Sequence, residues 1–440
     1  MCEFKRILEI LRFYSFWSID FLRGSKIKKQ VKDIDYHITF YNTKEARAKR
    51  ESNLNTLLNH AIKTTPFYKD YSHFKAVTDF PIIDKNTIRK TPEHFKSNTF
   101  KNKKTKKIST SGSTGAVLTI EQNKGKLNRN TADAIYFYKK IGFKIGYNLL
   151  FLKHWNSYFK KGKLQTWVQN ITPIEVFDFS EDKVTELLKT LKGDCSTKGW
   201  LGYASGFELL CQFLDKKKST PLHINVKSIV AISEHLNDYT RARMSYYFSA
   251  PIVSRYSNME NGIIAQQDSN DSTNFEINWA SYFIELLDFE NDTPVNPGEP
   301  GRIVITDLFN YCTPLIRYNT GDVGIIDAAS SPPAFKTIEG RKSDIIFNTK
   351  GDIVSSFIML NINKFDGVKQ SQLIQTDSKT YILKLNIVST FTAQNHILEE
   401  FKGYLGHDAN IKIQLVDEIP ILGSGKRRVT VNKMKANQTM

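Results

Sequence analysis

The sequence predicts a large layered α/β N-terminal domain with a strand-rich part, followed by a small α+β C-terminal domain. Three observations carry that expectation. From about residue 100 to 325, short apolar runs rich in β-branched residues alternate with segments of helical period. Toward the end of that stretch the strands follow one another without helices. Beyond "GRKSD", residues 340–344, strands surround a single helical segment. A chain of 440 residues is long enough for two or three domains. The boundary is expected at about residue 341. It separates residues 1–340, whose first 30 residues form an amphipathic helical segment, from residues 341–440.

Taken in order, residues 4–22 have the period of an amphipathic helix, with Ile7, Leu8, Leu11 and Tyr14 on one face. Two readings stand: a helix packed on the body of the protein, and a helix in peripheral membrane contact through its aromatics and basic flank. The packed helix is the expectation. "KKIS" (106–109) and "AVLTIEQ" (116–122) read as the strands of a hairpin. "NLLFLKHW" (148–155) and "IEVFDF" (174–179) read as buried strands. Ser180 is placed to cap the helix of "EDKVTELLKTLKG", which Gly193 closes. "KGWLGYAS" is a strand, and Ser205 is the expected cap of "GFELLCQFLDKKK". The strand "VKSIVAIS", the helix "DYTRARMSYYF" and the strand "APIVSRYS" continue the alternation. "TNFEINWASYFIELLDF" (273–289) alternates polar and apolar residues, as one half-exposed antiparallel strand would. A turn at "NPGEPG" separates it from the strands "RIVITDLF" and "VGIID". In the last part, "TYILKLNIV" and "IKIQLVDEI" read as strands and "AQNHILEEFKGYLG" as a helix.

Hydrophobic residues make up 40% of the chain and aromatics 12%, a globular composition. The formal net charge of +17 favours polyanionic partners: nucleotides, nucleic acid or an anionic membrane surface. Nucleic acid is set aside, because the basic residues are dispersed and no aromatic–basic recognition motif accompanies them. The lysines 103, 104, 106 and 107 read as a solvated charge run. Cys2, Cys195, Cys211 and Cys312 form no CxxC pair, and free thiols in a reducing compartment are expected. No apolar run approaches the ~20 residues that span a bilayer. The first residues carry acids and no small-residue cleavage site, unlike a signal peptide. These features lead to a cytoplasmic expectation.

"STSGSTG", residues 109–115, is the most informative stretch. Glycines let backbone N–H groups converge on an anion, and interleaved hydroxyls add donors that can turn toward it. The Gly-Lys-Ser/Thr ending of a P-loop is absent and the flanks read as strands, so the loop is expected to be a hairpin tip, which can fold over a nucleotide. Such tracts are also common in plain surface hairpins, and the six residues alone do not choose.

Four further motifs follow in fixed order: "RYSNMEN" (255–261), "PLIRYNTGD" (314–322), "EGRKSD" (339–344) and "GSGKRR" (423–428). With "STSGSTG", this series resembles the motif set of the adenylate-forming, acyl-CoA synthetase-like superfamily. "TTPFYKDY" and "FPIIDKNTIRK" look like its phenylacetate–CoA ligase branch, which includes capsular-polysaccharide and coenzyme F390 synthetase-type proteins. The motifs span residues 109–428, most of the chain.

The resemblance implies a ligase that uses ATP and Mg2+ to join a small-molecule carboxylic acid to AMP. The acyl group then passes to an acceptor thiol such as coenzyme A, or to an amine or sugar. It also implies that the small C-terminal domain is mobile. Thr110, Ser111, Gly112, Ser113, Thr114 and Gly115 would donate to the leaving pyrophosphate. Glu260 would bind the metal, Tyr256 flank the adenine, and Asp322 accept from the ribose hydroxyls. Arg341 would make a second ribose or phosphate contact, and Lys426 would reach the α-phosphate. Each has a plain alternative: a solvated loop acid for Glu260, an ordinary turn residue for Asp322, an exposed ion-pair residue for Arg341, an exposed basic turn for Lys426. Three of the motifs depart from the pattern. Ala116 and Val117 replace the x-Pro that often follows the loop, Met259 stands where a small hydroxyl is usual, and Ser343 stands where the hinge acid is expected. Met259 sustains another reading, a nucleotide-binding pseudoenzyme, and the F390 resemblance sustains adenylyl transfer to a second cofactor.

Overall fold

A computed structural model describes residues 2–109, 118–153, 155, 162–176, 181–268, 274–327, 329–341, 346–351, 353–354, 358–359, 362, 365, 367–387, 392–419 and 428–434. The chain divides into two compact units. The first consists mainly of the residues up to Thr320 and of Gly324–Thr337, the second mainly of Ile338–Met440.

In the first unit, helices α1 (Cys2–Leu22), α2 (Lys26–Thr39) and α3 (Lys44–Thr64) precede a short α4 (Lys85–Lys90). Strands β1 (Lys106–Ser109) and β2 (Thr119–Gln122) form the expected antiparallel hairpin, with Ile108 opposite Ile120. Helix α5 (Lys124–Lys140) leads into an alternating body of β3 (Asn148–Lys153), α6 (Lys163–Gln169), β4 (Ile171–Glu175), α7 (Glu181–Lys192), β5 (Lys198–Tyr203), α8 (Ala204–Lys216), β6 (Val226–Ile232), α9 (Asp238–Phe248) and β7 (Ile252–Asn258). Strands then follow without helices: β8 (Gly262–Gln267), β9 (Phe275–Ile277), β10 (Tyr282–Leu287), β11 (Pro300–Asp307), β12 (Tyr318–Asp327) and β13 (Ala334–Arg341), of which Gly321–Val323 in β12 and the end of β13 from Ile338 are assigned to the second unit. All of these from β3 onward form one sheet of eleven strands, in the order β10-β11-β12-β13-β9-β8-β7-β6-β5-β3-β4. Strands β4, β3, β5, β6 and β7 run parallel, and the sheet turns antiparallel from β8.

The apolar runs are explained by cover on both faces. Trp200 and Leu150 pack with Leu188, Phe207, Leu210 and Met244 of α7, α8 and α9. Leu201, the next residue after Trp200, packs on the other side with Val230, Val253 and Tyr138 of α5. Adjacent strand residues point to opposite faces, so a strand covered twice carries no polar alternation.

Several expectations need correction. β4 begins at Ile171 and includes Pro173, three residues before the expected start. It is an edge strand, where proline costs no inner ladder bond. Ser205 is not the cap of α8; the helix begins at Ala204, and the Ser205 N–H donates to Glu234 at 2.9 Å, an acceptor borrowed from a distant loop. The long alternating segment is two strands, β9 and β10. They are divided at buried Asn278, whose carbonyl accepts from Ser281 and Tyr282. Cys2 and Cys195 are joined as a disulfide, with Cα atoms 5.5 Å apart; Cys211 and Cys312 are free and buried. The fold brings the start of α1 against residues 194–197, a proximity hidden by a separation of 193 residues.

The second unit contains β14 (Ile346–Phe347), β15 (Ile353–Val354), β16 (Val368–Asp377), β17 (Thr380–Ile387), α10 (Gln394–Leu405), β18 (Asn410–Leu415) and β19 (Thr430–Asn432). A four-stranded sheet has the order β18-β17-β16-β19. Ile397, Phe401 and Leu405 of α10 pack on Leu373, Leu383 and Leu385 of that sheet. Among the described residues no helix is long and apolar enough to cross a membrane.

Candidate active site

The site grows from three chain segments that meet in the first unit. The turn between β7 and β8 carries Glu260. It is a rigid turn: the Asn261 N–H donates to the Asn258 side chain at 2.8 Å, the Tyr282 hydroxyl donates to the Asn261 carbonyl at 2.6 Å, and Gln122 donates to the Glu260 carbonyl at 2.9 Å. Gly262 follows with φ of +110°, and a Cβ there would come within 2.9 Å of the Asn130 side chain. A side chain at that position would move the turn and the carboxylate with it.

The second segment is the start of β12. Arg317 sits there at φ of +50°, a left-handed conformation that costs a non-glycine residue about 1 kcal/mol or more. Its side chain, 5% exposed, offsets this with an ion pair to Glu285 at 3.1 Å and hydrogen bonds to the carbonyls of Thr78 and Phe80. The next residue, Tyr318, donates its hydroxyl to the Glu260 carboxylate at 2.8 Å.

The third segment was not foreseen. Ile83 forms a parallel bridge with Tyr318, through Ile83 N to Arg317 O at 3.1 Å and Asn319 N to Ile83 O at 2.8 Å. Asp84 then caps α4, accepting from the Thr87 N–H at 2.7 Å. That register aims Lys85, the first helical residue, at the site. Its ammonium lies 2.8 Å from Glu260. The Glu260 side chain is 2% exposed and the Lys85 side chain 29%. Glu260 is therefore a buried, ion-paired carboxylate and not a solvated loop acid.

Tyr256, on β7, hydrogen bonds through its hydroxyl to Thr320 at 3.3 Å and meets the edge of Phe335. Thr320 lies two residues beyond Tyr318 on β12, so β12 holds the Tyr256 hydroxyl through Thr320 and holds Glu260 through the hydroxyl of Tyr318. Beside Tyr256, Arg255 is buried with its guanidinium over the Tyr138 ring, and burial lowers its pKa from the ordinary value. Asp322 lies on β12 after Gly321, whose φ is +82°, and is partly exposed. Met259, next to Glu260, is 42% exposed. The hairpin root is fixed nearby: Lys96 pairs with Glu121 of β2 at 2.8 Å, and the Glu121 N–H donates to Thr313 at 3.2 Å.

Thr110, Ser111, Gly112, Ser113, Thr114, Gly115 and Lys426 lie outside the described residues. Arg341 ends β13, and only its backbone is described. Of the expected residues, the structure thus builds Glu260 and Tyr256 into one region around β12, the strand that also carries Asp322. It adds Lys85 and Tyr318. The lysine had a local signal: a cation at the first helical position opposes the helix dipole, so its presence there calls for another reason.

Among the described residues Glu260 offers a divalent metal a buried carboxylate here. Among the described residues no group of three or more His, Cys, Asp or Glu side chains could hold a metal ion. A single carboxylate suits magnesium when phosphates complete its shell. Glu260 fits that role, and Lys85 already supplies one positive charge at it.

Comparison with known proteins bears on this site. Residues 345–433 match the family model described as the CapK C-terminal domain. The chain is 23% identical over 378 residues to Protein CapK of Staphylococcus aureus, covering 82% of this chain and 81% of that one. It is 28% identical over 149 residues to indoleacetate–lysine synthetase of Pseudomonas savastanoi, covering 33% and 34%. Among solved structures it is similar to 2-hydroxyisobutyryl-CoA ligase in the postadenylation state in complex with R3-HIB-AMP, with a TM-score of 0.68, 15% identity and 90% of each chain covered.

Proposed function

We propose, for a chain that belongs by fold to the adenylate-forming superfamily, that it activates a small carboxylic acid with ATP as an acyl-adenylate and transfers the acyl group to an acceptor. The buried Glu260, paired with Lys85 and held by Tyr318 at the head of Tyr-x-x-Gly-Asp, is the observation that carries this reading.

The chemistry leaves little covalent work to the protein, which must position reactants and balance charge. Magnesium held between Glu260 and the ATP phosphates would supply neutralising charge for the pyrophosphate. Lys85 keeps Glu260 compensated while no ligand is bound, and its partly exposed ammonium can swing out to water when the carboxylate takes another partner. Tyr256, fixed through Thr320, offers a ring to the adenine. Asp322 accepts from the ribose hydroxyls, with Arg341 as a further contact. Residues 110–115 donate to the leaving pyrophosphate. Lys426, in a mobile domain of residues 341–440, meets the α-phosphate during adenylation.

Two kinds of acceptor are suggested by relatives: the solved ligase is named for coenzyme A, a thiol, and the synthetase for lysine, an amine. The sequence resemblance to capsular-polysaccharide proteins adds a sugar hydroxyl or amine. Met259, exposed and without a polar atom to offer phosphate, favours a second reading in which nucleotide binds without acid activation.

The test is pyrophosphate release with ATP and a panel of small acids, followed by AMP release on adding coenzyme A, amino acids or amino sugars. Acid-dependent pyrophosphate is expected. ATP binding with no pyrophosphate release for any acid would favour the pseudoenzyme. Adenylyl transfer without an acid would favour the F390-type reading.

A further inference from the structure

We propose that the outer faces of α1 and α6 form a docking surface for an anionic lipid bilayer, on which the protein lies without crossing it. The reason is the direction in which α1 packs. Four of its polar residues, Lys5, Glu9, Arg12 and Asp20, face the body. Glu9, 7% exposed, accepts from the Thr197 N–H at 2.6 Å, Lys5 pairs with Asp194 at 2.9 Å, and Arg12 donates to the Trp167 carbonyl at 3.1 Å. Asp20, 4% exposed, accepts from the N–H groups of Ile27 and Lys28, which fixes the turn into α2. A Cβ on Gly146 would come 2.3 Å from the Glu9 carbonyl, so the helix backbone rests directly on the body. With the Cys2–Cys195 disulfide at its start, α1 has no freedom to roll its apolar side inward.

That apolar side faces water. Of the eighteen large hydrophobic residues exposed among the described residues, eight lie on α1 and three on α6. Tyr14 is 64% exposed, Phe21 73% and Leu22 82%; Trp167 of α6 is 62% exposed. The two helices are contiguous, since the Arg12 guanidinium lies 5.5 Å from the centre of the Trp167 ring. Apolar patches of this extent on a protein surface mark an interaction site.

Charge selects the occupant. Residues 1–32 contain eight Lys and Arg against three acids, and two of those acids, Glu9 and Asp20, are buried. Arg6, Arg23, Lys26, Lys28 and Lys29 are exposed beside the apolar face. A second copy meeting this surface across a two-fold axis would set the basic rims against each other. A bilayer with anionic headgroups accepts the apolar residues between its acyl chains and the basic rim at its surface, as an interfacial helix requires. The helix is about 30 Å long and would lie in the plane of the interface.

The test uses the full chain in co-sedimentation with vesicles of phosphatidylcholine alone and of phosphatidylcholine mixed with phosphatidylglycerol. Binding to the anionic vesicles is expected, weakening as salt rises. Leu11→Glu with Leu22→Glu should lower binding about tenfold or more. Lys28→Glu with Lys29→Glu, which leaves the apolar face intact, should lower it only on anionic vesicles. All four side chains are exposed, so the unfolding midpoint and pyrophosphate release without vesicles should not move. Absence of binding to either vesicle, or binding indifferent to both pairs of substitutions, would overturn the proposal. So would a dimer in solution that Leu11→Glu with Leu22→Glu dissociates, because the surface would then belong to a second copy.

Discussion

Two lysine–carboxylate pairs in the first unit, each with a buried carboxylate, are built to different ends. Lys126 of α5 lies 2.7 Å from Asp307 at the end of β11, and both side chains are fully buried. Lys126 also reaches the Tyr282 hydroxyl at 3.3 Å. One turn further along α5, Arg129 donates to Asp33, Ser281 and the Ala280 carbonyl, each at 2.8 Å, and Ser281 in turn donates to Asp133. Lys126, Asp307, Arg129 and Asp133 are all shut off from solvent, and only Asp33 at the end of the network is partly exposed. Lys85 and Glu260 meet at the same kind of distance, 2.8 Å, but the lysine is 29% exposed. A closed pair fixes one element upon another and is costly to break, whereas an open one keeps a buried charge compensated until a ligand takes it. Ion-pair distance alone would not have separated the two; access of water to one partner does.

The contrast breaks most visibly at Asp307. Asp307→Ala leaves the Lys126 ammonium buried without a counter-charge, and should cost about 3–5 kcal/mol in urea unfolding. A loss no greater than that of a surface substitution would remove the structural role of the closed pair.

His37 provides a second probe of the closed region. It is fully buried on α2, 3.6 Å from Asp33, and burial lowers its pKa from 6.5 to about 4. Above pH 6.5 the ring is neutral in both folded and unfolded chains, and its contribution to stability is complete. As pH falls from 6.5 toward 4, the unfolded chain takes up the proton first, and stability should drop by on the order of 2–3 kcal/mol. His37→Phe should flatten that slope, and an unchanged slope would assign it to other groups.

The open pair should give smaller effects on stability and specific ones on ligand binding. Glu260→Gln frees a lysine that water can reach, so the cost should be about 1 kcal/mol or less. ATP binding followed by calorimetry should lose its dependence on Mg2+, and a dependence equal to that of the unsubstituted protein would argue against Glu260 as the metal ligand. Lys85→Met removes the competing ammonium. The Mg2+ concentration needed for half-maximal ATP binding should fall about two- to fivefold, the worth of a partly exposed ion pair. An increase instead would make Lys85 a direct phosphate ligand.

The sequence made the framework readable where the residues themselves decide it. The parallel strands were recognisable as short apolar runs alternating with segments of helical period, and the motif spacing singled out Glu260, which the fold buries against Lys85. Lys85 was not, because its place in the site depends on the Ile83–Tyr318 bridge between segments more than two hundred residues apart in the chain. Only its position at a helix start, where a cation is locally unfavourable, marked it. The division of β9 from β10 was hidden for the opposite reason: Phe275 to Trp279 keep the polar–apolar rhythm of a strand into the turn, where Asn278 accepts from Ser281 and Tyr282. The amphipathic character of α1 was also plain, but its orientation was not. Glu9 and Asp20 find buried partners in Thr197 and in the start of α2, which no helical period can announce.

The stapling of α1 has a thermodynamic consequence. An amphipathic segment that is unstructured in water must fold as it meets its target, and the ordering entropy is subtracted from its affinity. Here the helix is formed in advance, tied at one end by Cys2–Cys195 and at the other by the Asp20 turn. Engagement of its outer face therefore brings little gain in circular-dichroism helicity, and it fixes the orientation of the whole first unit, since the helix cannot swivel independently of the sheet beneath it.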